Sequence, residues 1–305
     1  MEEIIERHGM GWLPDYPDFR DYTTECDKVS PRLKRLGQKD SVKAMLKKAG
    51  IGSSVKVKLP SLVDLRQWCS KIEDQGQLGS CTAQAGAGLV EYYEKKSFQK
   101  YTDASRLFLY KVTRNLMHLT GDTGAHLRTT MAAMVLFGVP PEEYWKYMTA
   151  DFDKEPTAFC YAFAQNFQTI QYYRLDPPGT AKPALLEQVK KHLASGLPLM
   201  FGFTVYGSIS QASKTGLIPY PAANESSVGG HAVDAVGCDD NLKITNESNK
   251  KTTTGALLIR NSWGPGWGDK GYGWLPYEYV LKGLAADWWS LLKNEWVDTG
   301  AFKVS

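Results

Sequence analysis

The chain has 305 residues, 43% of them hydrophobic and 23% charged, with a formal net charge of +3. That composition belongs to an ordinary globular protein able to bury a full core, as one large domain or two lobes. No apolar run approaches membrane-span length, which excludes a helical transmembrane class. The small net charge hides an asymmetry: residues 1–27 carry eight acidic and two basic side chains, residues 28–58 carry ten basic ones against Asp40 alone, and residues 59–305 are neutral.

The start, Met1 to His8, is acidic and lacks the apolar centre of a secretory signal. The five cysteines, Cys26, Cys69, Cys81, Cys160 and Cys238, are an odd set without framework spacing, so they read as reduced, with Cys81 reactive and the others mostly buried. Together these features predict a cytoplasmic protein, in which the Asn224 and Asn246 glycosylation sequons are chance matches.

Residues 1–58 read as an extension. Its first part, Gly11 to Tyr22, is rich in aromatics and prolines, a composition that holds chain extended along a surface with rings as anchors. Leu33, Leu36, Val42, Met45 and Leu46, set among lysines, predict one or two short amphipathic helices interrupted at Gly37. The lysines read first as a solvated face, which weighs against nucleic-acid or membrane partners; binding to phosphates is the sharper alternative.

Beyond Lys58 the pattern turns helical. A helix starts at Cys81 with Ser80 as N-cap, a second follows Asp103 as cap, and a third runs from about Leu127 to Phe137 before Gly138 and two prolines. Leu185–Ala194 is a further helix, and strands follow at Leu199–Val205, Ala232–Cys238, Ala256–Arg260 and Tyr272–Leu275. The polar stretch Asp239–Thr254 reads as a long hairpin loop. Helices first and strands later predict an α+β protein of two lobes.

Cys81 closes the run Gln75-Gly76-Gln77-Leu78-Gly79-Ser80-Cys81 and opens a helix, where the macrodipole favours a thiolate. His231 follows two glycines and enters an apolar strand, and Asn261 ends another strand within Asn261-Ser262-Trp263-Gly264. A thiol, an imidazole and an amide on separate elements are the parts of a cysteine acyl-transfer site. Gln75, six residues before the thiol in a glycine turn, is placed to meet a developing oxyanion.

From about Leu59-Pro60 to the C-terminus these motifs together resemble the papain family of cysteine peptidases, of a bacterial or archaeal type with a short N-terminal segment. The resemblance implies a helical lobe (about 68–165) and an antiparallel β-barrel-like lobe (about 166–305), with the active-site cleft between them. It implies Cys81 as nucleophile, His231 as general base and acid, Asn261 as the residue orienting His231, and Gln75 with the Cys81 amide as oxyanion hole. It further implies Gly124, Gly230 and Trp263 on the substrate side, with Trp263 shielding the His231–Asn261 contact. The implied partner is a peptide or protein substrate, and the implied chemistry uses no cofactor and no metal. Leu78 stands where secreted members carry a disulfide cysteine, in keeping with a reduced compartment, and Thr82 replaces the usual aromatic, which predicts a wider, more polar cleft floor. Residues 1–58 are expected to pack on the body, either as an autoinhibitory pro-segment or as a permanent strap. Acyl transfer to another acceptor, or a non-catalytic binding role on the same fold, remain the alternative functions.

Overall fold

The structure, a computed structural model, describes residues 8–51, 59–168 and 171–302. The acidic start at 1–7 and part of the basic run at 52–58 lie outside the described residues. In chain order the principal elements are β1 (Trp12–Leu13), α1 (Pro31–Arg35), α2 (Val42–Lys48), β2 (Leu62–Asp64), α3 (Cys81–Phe98), α4 (Arg106–Leu116), β3 (Ala125–His126), α5 (Leu127–Leu136) and α6 (Ala158–Ala164). They continue with β4 (Gln171–Arg174), α7 (Lys182–Ala194), β5 (Leu199–Tyr206), β6 (Ser227–Asn246), β7 (Lys251–Arg260), β8 (Tyr272–Pro276), α8 (Tyr277–Leu281), β9 (Ala285–Leu292) and α9 (Asn294–Val297).

The fold is α+β, with a cluster of helices against a seven-stranded sheet. The sheet runs β4-β9-β5-β6-β7-β8 as an open path, with β2 added to β6, and every pairing in it is antiparallel. It does not close into a barrel among the described residues. A separate parallel pair, β1 on β3, joins Trp12 to Ala125 and Leu13 to His126, so the extension is stitched to the helical side by main-chain bonds.

Helix α3 is the central element, with Cys81 through Tyr93 all buried. Its small residues explain this: the space that a Cβ on Gly86 would need is bounded by Thr130 of α5 at 3.1 Å and Leu109 of α4 at 3.4 Å, so neighbours approach the backbone itself. On the other side, a Cβ on Gly88 would overlap the Arg260 guanidinium, which crosses there to Ser70 and the Lys71 carbonyl. Asp234 lies 3.8 Å from Arg260, and Arg106 meets the fully buried Glu91 at 2.8 Å. These charges are buried in pairs, as their desolvation requires.

Several local expectations are corrected. Ser80 precedes α3, but its hydroxyl meets Tyr147 Oη at 2.6 Å and makes no cap bond. The cap of α4 is Ser105, whose Oγ accepts from the Phe108 amide at 3.2 Å; Asp103 instead pairs with Lys71 and Arg106. The stretch 239–254 is not a loop. Strands β6 and β7 continue through it, pairing Lys243 with Thr254 and Asn246 with Lys251, and turn over only at 247–250. Thr252, Thr253 and Thr254 supply the β propensity that their polarity conceals. The two amphipathic helices of the extension form as α1 and α2, burying Leu33, Val42, Met45 and Leu46 while Leu36 stays exposed.

The sheet core centres on Trp288 of β9, stacked on Phe201 of β5 at 4.0 Å and 3°. Its indole N–H has no partner among the described residues, so its contribution is packing. Trp288→Ala is expected to destabilise the protein by about 3–5 kcal/mol, and Trp288→Phe by under about 2 kcal/mol because no hydrogen bond is lost. Denaturant unfolding of both variants checks this, and a Phe variant as damaged as the Ala variant would contradict it.

Candidate active site

Cys81 is the first residue of α3 and has no exposed surface. The backbone amides of Ala232, Gly11, Thr82 and Cys81 itself face its sulfur, which places the thiol against β6 beside His231. His231 lies on β6 opposite Phe203 of β5, also fully buried. Its Nε2 shares a hydrogen bond with Asn261 Oδ1 at 2.7 Å. Asn261 follows β7 and is fixed by its own N–H to the Gly271 carbonyl at 3.0 Å. Its Oδ1 also accepts from the Ser262 amide at 2.8 Å, so this oxygen points as an acceptor and His231 Nε2 is the donor. His231 Nδ1 has no hydrogen-bond partner among the described residues. Trp263 covers the pair, its ring 4.7 Å from the imidazole.

Gln75 is held from three directions. Its backbone N–H donates to the Ser262 carbonyl at 2.9 Å, its Oε1 accepts from Ser262 Oγ at 2.6 Å, and its carbonyl accepts from Tyr147 Oη at 3.0 Å. Its Nε2 is thereby aimed outward, donating to the Leu78 carbonyl at 2.7 Å and to the Gly9 carbonyl at 2.9 Å. Where the resemblance places a disulfide cysteine, Leu78 is buried, and the next amide, Gly79 N–H, is tied to both Asp122 oxygens at 3.0 and 3.1 Å. Tyr110 also donates to Asp122 and accepts from Gly124 N–H at 3.1 Å, joining the loop before Cys81 to the loop bearing Gly124. Thr82 is fully buried, and its hydroxyl finds no partner among the described residues.

The extension runs across these residues. Gly9 N–H donates to the Gly76 carbonyl at 2.9 Å, and the Gly11 carbonyl accepts from Ala125 N–H at 2.7 Å. A Cβ on Gly11 would overlap Gly79, and one on Gly124 (φ +74°) would overlap Gly11, so the chains meet glycine to glycine. Trp12 lies on Gly202 and Gly230, where any Cβ would strike its ring or carbonyl, and its indole N–H donates to Asp287 at 3.1 Å. His8 stacks on Trp263 at 5.1 Å and 9°. Asp287 has φ +58° and sits where the β5–β9 register shifts, a bulge that turns its carboxylate toward Trp12.

Thus Cys81, His231, Asn261, Trp263 and Gln75 come together, and Gly124 and Gly230 border the same cleft through the segment lying in it. Ser262, Tyr147, Asp122 and Tyr110, which hold Gln75 and its loop, went unread in the sequence. Ser262 lay inside a recognised motif and Asp122 inside Gly121-Asp122-Thr123-Gly124; Tyr147 carries no signal.

A helical cluster and an antiparallel sheet that bring a cysteine at a helix start beside a histidine–asparagine pair define the papain-like cysteine peptidase class. The family description "papain family cysteine protease" matches residues 59–282. An uncharacterised peptidase C1-like protein of Acanthamoeba polyphaga mimivirus is 34% identical over 295 residues, covering 95% of this chain and 88% of that one. The crystal structure of xylellain, a cysteine protease from Xylella fastidiosa, superposes with a TM-score of 0.72 at 31% identity over 94% of this chain and 96% of that one. A ragweed pollen cysteine protease in its proform shares the fold alone, with a TM-score of 0.59 and 22% identity over 79% of this chain and 69% of that one. The chain belongs to the papain family and is a papain-like cysteine peptidase, a hydrolase.

Electrostatics describe a covered site. Burial pushes the Cys81 thiol up to about 11, against the pull of the Ala232 and Gly11 amides. Burial pushes the His231 imidazole down to about 4; Asn261 favours its charged form and nearby His8 opposes it. At neutral pH both groups are uncharged in this form. Iodoacetamide labelling of Cys81 in the full-length chain is therefore expected to be slow at pH 7, because the sulfur is fully buried, and at least about tenfold faster at the same pH in a chain beginning at Leu59. Equal labelling rates in the two chains would contradict this.

Proposed function

We propose that the protein hydrolyses peptide bonds through a thioacyl-enzyme on Cys81, and that the N-terminal extension holds it inactive, with residues 9–12 filling the cleft. The observation that carries the reading is the Gly9 carbonyl on Gln75 Nε2 with Gly11 lying over Cys81. A peptide carbonyl already occupies the donor that an oxyanion would use.

With the segment displaced, Cys81 Sγ attacks the substrate carbonyl carbon, and the oxygen that gains charge is met by Gln75 Nε2 and the Cys81 N–H. The His231–Asn261 bond fixes the tautomer and leaves Nδ1 to exchange a proton with the thiol. As the C–N bond breaks, His231 gives that proton to the leaving amine; it then takes one from the water that cleaves the thioester. The extension occupies this arrangement without altering it, because it meets Gln75 Nε2 and the Ala125 N–H through its own main-chain carbonyls, which a substrate can replace.

Full-length protein is expected to show little peptidase activity, and a chain beginning at Leu59 far more. Gly202→Ala offers the same test within the full chain, since its methyl group would occupy the space of the Trp12 ring. It should raise Cys81 labelling and peptide hydrolysis by about tenfold or more, the scale of one displaced buried anchor. Equal activity with and without residues 1–58 would make the extension a strap. Gln75→Ala in the opened enzyme should lower kcat by about 10²–10³-fold with KM little changed.

A further inference from the structure

Among the described residues of the extension Asp15 is the most deeply buried carboxyl group, with none of its side chain exposed. Its two oxygens accept from the Arg128 N–H at 3.2 Å each, and one also accepts from the Trp289 indole N–H at 2.9 Å. Arg128 is the second residue of the ten-residue helix α5, so its N–H is among the donors that no helical carbonyl satisfies. Its guanidinium grips Asp21 of the extension at 2.7 and 2.6 Å. Arg174, only 7% exposed, spends Nε on Asp176 and Nη2 on Asp287. Its third nitrogen, Nη1, faces Asp15 at 3.9 Å and Asp21 at 3.7 Å and forms no hydrogen bond to either.

Every donor to Asp15 and Asp21 belongs to the body, while the extension donates in return to Asp287 through the Trp12 indole and the Asp15 N–H. Without the extension the body keeps Arg128 and Arg174 against Asp176 and Asp287. An indole N–H, a helix-start N–H and a guanidinium edge then lose these carboxylate acceptors and are open to another. The cluster also lies within reach of the nucleophile. Gly11 rests over Cys81 and Asp15 follows four residues later, at most about 14 Å of extended chain.

We propose that Arg128, Trp289 and Arg174 form a carboxylate-recognising subsite, filled by Asp15 in the covered form and by an acidic side chain of the substrate once the extension is displaced. The inference rests on the peptidase reading of the same cleft. It assigns the substrate class as peptides with Asp or Glu a few residues from the scissile bond.

The test uses the full-length Asp15→Ala, Gly202→Ala chain, in which the carboxylate is missing and Trp12 is displaced. Peptides carrying a single Glu, stepped through each position, are compared with their Gln counterparts. At one position Glu should be favoured about tenfold or more in kcat/KM, the scale of a charge-assisted hydrogen bond. Adding Arg128→Gln and Trp289→Phe should reduce that preference below about threefold. The same chain carrying Cys81→Ala reports binding of the peptide pairs without turnover, and acetate should raise the melting temperature of full-length Asp15→Ala more than chloride does at equal ionic strength. A binding preference without cleavage would sustain the subsite and remove the peptidase reading. Glu and Gln peptides cleaved and bound alike at every position would overturn the proposal and leave the cluster a latch for the extension only, as would an acetate effect no larger than that of chloride.

Discussion

The close approach of α3 to β6 is the constraint on which the rest of the structure depends. It places the Cys81 sulfur against the Ala232 amide, one residue beyond His231, and it is available only because the facing side of the helix is nearly bare of side chains. Gly88 leaves room for Arg260 to cross between helix and sheet, and that arginine ties Ser70 and Lys71, just before the Gln75 turn, to Asp234 on the His231 strand. The helical side and the sheet side are thus held together by buried charges under the site as well as by the Gln75–Ser262 bonds within it.

The same economy of side chains shapes the cleft. Gly79, Gly124, Gly202 and Gly230 border it, and the extension answers with Gly9 and Gly11. Backbone meets backbone, so the affinity at the nucleophile is main-chain hydrogen bonding with no side-chain identity attached. Identity enters further along, where Trp12, Asp15 and Asp21 meet Asp287, Trp289, Arg128 and Arg174. This division makes the contacts at the nucleophile generic and confines side-chain recognition of the extension to its polar end.

Covering the site also sets its charge state. Desolvation favours neutral thiol and neutral imidazole together, so under the proposed inhibition the covering segment would also disfavour the thiolate needed for attack. In that proposal two consequences of one burial point the same way.

The sequence by itself determined the family, the α+β class and the helix at Cys81, and it singled out Cys81, His231, Asn261, Trp263 and Gln75, which the fold brings together, because the proposed chemistry demands particular residue types in short, readable patterns. It also determined the two short helices of the extension, whose apolar spacing is local information. The paired hairpin at 239–254 was hidden because cross-strand partners, and not its polar composition, make it a sheet. Ser262, Tyr147 and Asp122 were hidden because their work consists of orienting another residue from a distant part of the chain. Only the tertiary structure decided where the extension lies, which glycines it needs and that Asp15 and Asp21 find their arginines more than a hundred residues away. A charge imbalance in the sequence records that partners exist; which ones they are is fixed by folding, since pairing across such separations depends on the path of the whole chain.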